Sequence, residues 1–189
     1  YYRPIHKDRL IPLGSLRDMP SRISQADIVI VTKCPPYLDE WERSKWAGPL
    51  GISGYSTASG KGKGKNGKEQ TLLFSHIGYR DMAPVYGEVA DSRYMYAKRL
   101  ILFSGIAKDT QLRNYLSDSY KIVRKFNFPD HHKYTKGDIR SISNAVNENP
   151  TAVVATTEKD AQRIVDSQKV PDTLKERLFQ IPIEVQFLT

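Results

Sequence analysis

Leu100-Ile101-Leu102-Phe103-Ser104-Gly105 is the stretch on which the reading of this chain turns. Four apolar residues in a row, ended by Ser-Gly, describe a strand buried on both faces, as in parallel sheets covered by helices on either side. The residues downstream keep that rhythm. Leu112, Tyr115 and Leu116 fall at i, i+3 and i+4 and predict a helix, and Lys121 to Phe128 is strand-like. Ile139, Ile142 and Val146 stripe a second helix, Ala152-Val153-Val154-Ala155-Thr156 is another strand, and Ala161, Ile164 and Val165 line the helix after it. Gln180 to Leu188 is a closing apolar strand. Two of the helices start with the same signal, Thr135 before Asp138 and Thr157 before Asp160, an acidic variant of the capping box. Strand–helix alternation with short connections predicts a doubly wound α/β fold, a three-layer α/β/α sandwich with a mostly parallel sheet. Residues 1–189 are expected to form a single α/β domain.

The first half is less regular. Ile28-Val29-Ile30-Val31-Thr32 reads as a buried strand, Leu38 to about Trp46 as a helix, and Thr71 to Ile77 as a strand with Gly78-Tyr79 as a turn. Residues 51–70 are dominated by Gly, Ser and Lys and are expected to be a flexible loop. Gly62, Gly64 and Gly67 satisfy the dinucleotide fingerprint, and Gly62, Gly67 and Lys68 nearly satisfy the phosphate-loop pattern, with Glu69 where Ser or Thr would hold magnesium. Both patterns require a buried strand before and a helix after, so that N–H groups and the helix dipole converge on phosphate. Neither neighbour is expected here, so both matches are set aside.

Composition narrows the classes. Apolar residues make up 39 % of 189, enough for a globular core, which excludes collagen-like and wholly disordered chains. No apolar run is long enough to span a bilayer, and because prolines and charges fill Tyr1 to Leu16 no secretory signal is expected there. Lys and Arg number 29 against 21 acids, a net charge of +8 that favours an anionic partner such as a phosphorylated ligand, nucleic acid or an acidic membrane. The one cysteine, Cys34, forms no intrachain disulfide and suits a reducing compartment.

In doubly wound sheets ligands bind beyond the carboxyl ends of the strands. That rule selects Ser104-Gly105, Pro129 to His132, and Thr156 to Asp160. Asp130-His131-His132 follows a strand directly; an Asp beside a His orients the imidazole for acid–base work, and the plainer reading is a strand-end cap. A metal site is a third reading, yet adjacent side chains on an extended segment point apart. Thr156, Thr157, Glu158, Lys159 and Asp160 place hydroxyls, a cation and two acids at a strand-to-helix corner, where free N–H donors favour an anion; capping by Thr157 explains half of the pattern. Arg17, beside Asp18, can fork onto a phosphate or serve as half of a surface ion pair.

In this order the pieces resemble one family. Ile11-Pro12-Leu13-Gly14-Ser15-Leu16-Arg17-Asp18 is similar to the L-P-x-G-x-L-R-E segment of tetraacyldisaccharide 4'-kinase, the lipid A 4'-kinase of Gram-negative bacteria, with Asp18 where that segment has Glu. Ala26 to Lys33 resembles the strand that follows it, and Phe103-Ser104-Gly105-Ile106-Ala107 the family's Gly-Ile turn. Phe128-Pro129-Asp130-His131-His132-Lys133-Tyr134 with Asp138 resembles its F-x-D-H-x-x-Y segment, and Thr156-Thr157-Glu158-Lys159-Asp160-Ala161 its T-E-K-D-A motif. The likeness spans nearly the whole chain and is nearest to the Bacteroidetes-like version.

The resemblance implies a P-loop-kinase-related fold with a short β-hairpin-like linker, and transfer of the γ-phosphate of ATP, with magnesium, to the 4'-hydroxyl of tetraacyldisaccharide 1-phosphate. It implies work at the cytoplasmic face of the inner membrane, where a basic surface suits anionic lipids. It makes Asp130 and His131 catalytic, places Thr156 to Asp160 near the nucleotide, and puts Arg17 and Asp18 near the lipid substrate. No metal ligand is assigned in this chain. The family's phosphate loop, magnesium-binding acids and catalytic aspartate lie upstream of the segment matched by Ile11 to Asp18. The chain is therefore expected to be the C-terminal part of a larger kinase, with its N-terminal P-loop domain as partner and little activity alone. Two rival functions are weighed. A phosphoesterase with a D-H-H metal motif needs a D-x-D set that this sequence lacks. A nucleic-acid module needs aromatics interleaved with basic residues, found only from Tyr94 to Arg99, so no nucleic-acid partner is expected.

Overall fold

The computed structural model describes residues 1–87, 90–106, 109–167 and 169–188. The chain divides into two compact units, Tyr1–Gly78 with Val185–Thr189, and Tyr79–Glu184, where the sequence led us to expect one domain.

The first unit is built on a mixed sheet. Strand β1 (Ile28–Val31) runs parallel to β4 (Glu69–Tyr79), while β2 (Ser53–Ser56) and β3 (Lys61–Lys63) add antiparallel strands in the order β1-β4-β3-β2. Helix α1 (Glu40–Ala47) starts where Asp39 accepts the Glu42 N–H at 2.7 Å, the usual answer to an orphan donor in the first turn. Val31, Leu50, Ile52, Leu72 and Phe74 form the core, with Cys34 buried beside them and its thiol pushed up by that burial. Gln70 is sealed in the same unit and donates to the carbonyls of Ile23 and Ala26, both at 2.7 Å.

Residues 51–70 are thus a hairpin and the start of a long strand, not a loop. The alternation of Lys61, Gly62 and Lys63 is the period-two signature of a strand, exposed–buried–exposed. Gly60 and Gly67 supply the positive φ that the turns require. Gly62 is glycine for want of room: a Cβ there would lie 2.5 Å from the Ile52 Cγ2 and 2.9 Å from the Ser53 carbonyl. A strand does precede the glycine pattern, contrary to expectation, but a strand rather than a helix follows it. The two pattern matches therefore lack the geometry that would cradle phosphate.

The second unit is the three-layer body. Its sheet has the order β5-β9-β8-β6-β7, from β5 (Ala83–Pro84), β6 (Arg99–Ser104), β7 (Lys121–Asn127), β8 (Val153–Thr157) and β9 (Leu178–Ile181). Four of these strands are parallel; β5 is antiparallel to β9. Leu100, Ile101, Leu102 and Phe103 of β6 are fully buried, because helices cover both sides. Leu112 and Leu116 of α2 (Thr110–Ser117) pack with Leu100 and Leu102 on one face. Ile139, Ile142 and Val146 of α3 (Lys136–Glu148) pack with Ile101 and Phe103 on the other. That second face also takes Ile164 of α4 (Glu158–Ser167) and Leu174 of α5 (Asp172–Lys175). The expected closing strand is two, β9 and β10 (Ile183–Phe187), parted at Pro182; β10 pairs with β4. The sheets are therefore mixed rather than mostly parallel, since the hairpin and β5 interrupt the parallel pattern. No helix among the described residues is long and apolar enough to cross a membrane.

Candidate active site

From β6 the chain first winds to β7 and then crosses to β8 on the other side of β6. That reversal of winding makes the carboxyl ends of these strands the topological switch point of the sheet. The three segments selected by the sequence meet there. The Phe128 N–H donates to the Ser104 carbonyl at 2.9 Å, which ties the β7 end to the β6 end. The Gly105 N–H donates to Asp160 Oδ2 at 2.9 Å, which ties β6 to the β8–α4 corner. A Cβ on Gly105 would stand 3.0 Å from Asp160 Oδ1 and 3.1 Å from the Pro129 carbonyl, so all three loops close on this glycine. Ala107, the last residue of that turn motif, lies outside the described residues.

Asp160 is the hub. It is fully buried, yet its two oxygens are engaged: Oδ2 accepts from the Thr157 hydroxyl at 2.7 Å as well as from Gly105, and Oδ1 pairs with Arg163 Nη1 at 3.2 Å. The Thr157 hydroxyl in turn accepts the Asp160 N–H at 3.2 Å, so the cap predicted from Thr157 and Asp160 is formed. Burial of a carboxylate is costly unless its oxygens are hydrogen-bonded, and here both are. The Tyr134 hydroxyl is sealed beside it, and burial first, then the charge of Asp160, hold that phenol protonated. Thr156 is fully buried as well, Thr157 is half-buried, and Glu158 and Lys159 are exposed at the start of α4. Glu158 Oε2 accepts the Ile183 N–H at 3.2 Å.

The two adjacent histidines diverge. His132 stacks on Phe128, ring centroids 4.6 Å apart, and places Nε2 3.0 Å from Asp138 Oδ2. Asp138 also takes the Thr135 N–H at 2.7 Å and completes a full capping box at α3. Burial opposes its ionisation, but the Thr135 backbone, His132 and the Thr135 hydroxyl outweigh it and hold the carboxyl below the usual range. His131 is instead exposed and left-handed at φ 61°, a conformation costly for any residue with a Cβ. Its N–H donates to Asp130 Oδ1 at 2.9 Å, its Nε2 lies 3.7 Å from Asp130 Oδ2, and its Nδ1 lies 3.2 Å from Arg163 Nη2.

Sequence reasoning overlooked Arg163 and the Asp138–His132 pair. The only signal for Arg163 was its i+3 spacing from Asp160, which puts both on one face of α4. Arg17 and Asp18 lie in the first unit, where both are exposed; Asp18 accepts the Met19 N–H at 2.7 Å and pairs with Arg22 at 3.3 Å.

A doubly wound α/β unit whose strand-end loops close on one buried carboxylate defines the class as that of open sheets with a topological switch point. Comparison with known proteins narrows that class. A family model described as Tetraacyldisaccharide-1-P 4'-kinase matches residues 1–189, and the chain belongs to that family. The tetraacyldisaccharide 4'-kinase of Phocaeicola vulgatus is 28 % identical over 193 residues, covering 100 % of this chain and 49 % of its own length. That of Flavobacterium johnsoniae is 30 % identical, covering 96 % of this chain and 46 % of its own length. The chain thus spans about half the length of these curated relatives. Its fold is that of the LpxK crystal structure from Aquifex aeolicus, described as an "apo" form in complex with ATP, with a TM-score of 0.53 at 19 % identity over 96 % of this chain and 45 % of that one.

Proposed function

We propose that this chain is the C-terminal part of an ATP-dependent kinase that phosphorylates the 4'-hydroxyl of tetraacyldisaccharide 1-phosphate in lipid A biosynthesis. The observation that carries the reading is the convergence of Gly105, His131 and Asp160 at the switch point, on the segments that resemble the family's motifs. The relatives are named for this reaction. The partner is an N-terminal phosphate-loop domain, and the workplace is the anionic cytoplasmic face of the inner membrane, which a net charge of +8 suits.

In this reaction the bond from the γ-phosphorus to the bridging oxygen of ADP breaks, a bond to the 4'-oxygen forms, and the hydroxyl proton passes to an aspartate outside this chain. Positioning and charge stabilisation dominate such a transfer. His131 and Asp130 stand exposed at the switch point to orient that base. Glu158 and Lys159 flank the start of α4, where N–H donors and the lysine favour the nucleotide's charge. Thr156 and Asp160 serve the nucleotide from behind, by fixing the corner on which these groups stand. Arg17 and Asp18 are assigned to the lipid disaccharide by the motif resemblance alone. The described residues contain no group of three His, Cys, Asp or Glu able to hold a metal ion, so they form no cage for the magnesium that the family uses.

The test is transfer of labelled γ-phosphate from ATP to tetraacyldisaccharide 1-phosphate by the full-length product of the parent reading frame. Transfer to the 4'-position is expected, with little by the 189-residue chain alone. His131→Ala should lower kcat by about 100-fold with a smaller change in the KM for ATP. A full-length protein that transfers nothing overturns the function, and an unchanged rate in the variant removes His131 from it.

A further inference from the structure

We infer that Arg163 is a positioning residue that fixes His131 as a hydrogen-bond donor through Nε2, with buried Asp160 as its anchor; this rests on His131 being the site histidine. A guanidinium has only donors. At 3.2 Å from Arg163 Nη2, the Nδ1 of His131 must therefore offer its lone pair, and the ring proton must sit on Nε2. The same guanidinium pairs through Nη1 with Asp160 Oδ1, also at 3.2 Å. Asp160 is wholly buried and locked by Gly105 and Thr157, so the anchor has little freedom. Arg163 is itself only a quarter exposed. The left-handed backbone of His131 turns its ring toward α4, and the strain is held by the Asp130 turn.

The arrangement assigns His131 a part in the chemistry. With Nδ1 capped by a cation and the proton on Nε2, the ring is poised to donate to an anion. It supports a carboxylate base or a phosphoryl oxygen and does not itself take up the hydroxyl proton. Asp130 Oδ2, 3.7 Å from Nε2, marks the direction of that donation.

The experiment is two-part. Long-range proton–nitrogen correlation spectra of the ¹⁵N-histidine-labelled 189-residue chain report which ring nitrogen of each of its four histidines carries the proton. His131 should show a bare Nδ1 and a protonated Nε2. Arg163→Ala should move both resonances toward a mixture, Arg163→Lys should move them less, and His132, held by Asp138, should stay put in both. A protonated Nδ1 in the wild type, or His131 resonances unmoved in Arg163→Ala, overturns the inference. In the full-length kinase, Arg163→Ala should lower kcat by about 10- to 100-fold with little change in the KM for ATP. The double variant with His131→Ala should be no slower than His131→Ala alone, because the arginine acts through the histidine; independent, multiplying losses overturn that linkage. Absence of any kinase activity defeats the functional reading but leaves the spectra to decide the placement of the proton.

Discussion

The pattern Thr-x-x-Asp opens α3 and α4 alike, and the two copies carry different burdens. At α3, Thr135 and Asp138 form a half-exposed capping box whose spare capacity goes to His132. At α4, Thr157 and Asp160 form the same local bonds, but the carboxylate is fully buried and spends its remaining capacity on Gly105 and Arg163. One corner serves its own helix and a packed imidazole. The other joins the ends of three strands and, through Arg163, an exposed imidazole. Identical local chemistry thus yields a cap in one place and a hub in the other, and depth of burial makes the difference.

The comparison breaks or holds first on stability. Asp160→Ala removes the acceptor shared by the Thr157 hydroxyl and the Gly105 N–H and breaks the ion pair with Arg163, and loss of one member of such a buried network costs about 3–5 kcal/mol. Asp138→Ala loses a cap and a histidine bond at a partly wet site, a loss of about 1–2 kcal/mol. Denaturant titration of the two variants should rank them in that order, and equal losses would erase the distinction. Acid gives a gentler test. The carboxyl of Asp138 is held below its ordinary range, so its stabilisation is full above the unfolded-state pKa and fades as pH falls through that value toward the lower folded one. The stability of Asp138→Asn relative to wild type should therefore recover as pH drops below about 4. The smallest effect is of opposite sign. His131→Gly should raise stability by about 1 kcal/mol by relieving the left-handed backbone, while the corresponding change at His132 should destabilise. Melting curves of the two glycine variants check this.

Much of the second unit was legible. Strand β6 holds the apolar run of residues 100–103 and β8 follows on Ala152 with residues 153–155, because each strand is covered on both faces, and the helix starts announce themselves by their caps. The rule of strand carboxyl ends then picked out, without any motif, three segments that meet at Gly105. The hairpin at residues 51–70 was misread because glycine and lysine suggest a loop by composition, although their alternation has the period of a strand. The division into two units was hidden, since the boundary between Gly78 and Tyr79 falls before the last residue of β4 and no linker composition marks it. At the site, the Asp130-His131-His132 run did not say which histidine pairs with which acid. His132 reaches past the turn to Asp138, while His131 meets an arginine from another element, and only tertiary geometry distinguishes them.

The place of β6 in its sheet has a consequence for a chain emerging from the ribosome. Its first partner, β7, follows closely, with Leu100 opposite Ile122, but its other partner comes much later, with Leu100 opposite Val153. Until β8 is made, the most apolar strand of the unit carries one bare edge, the kind of surface that recruits other chains. Asp160 follows β8 almost at once. The residue that gathers the strand ends is therefore delivered as the exposed edge is sealed, so a nascent chain passes from its most vulnerable form to joined strand ends within one short stretch of synthesis.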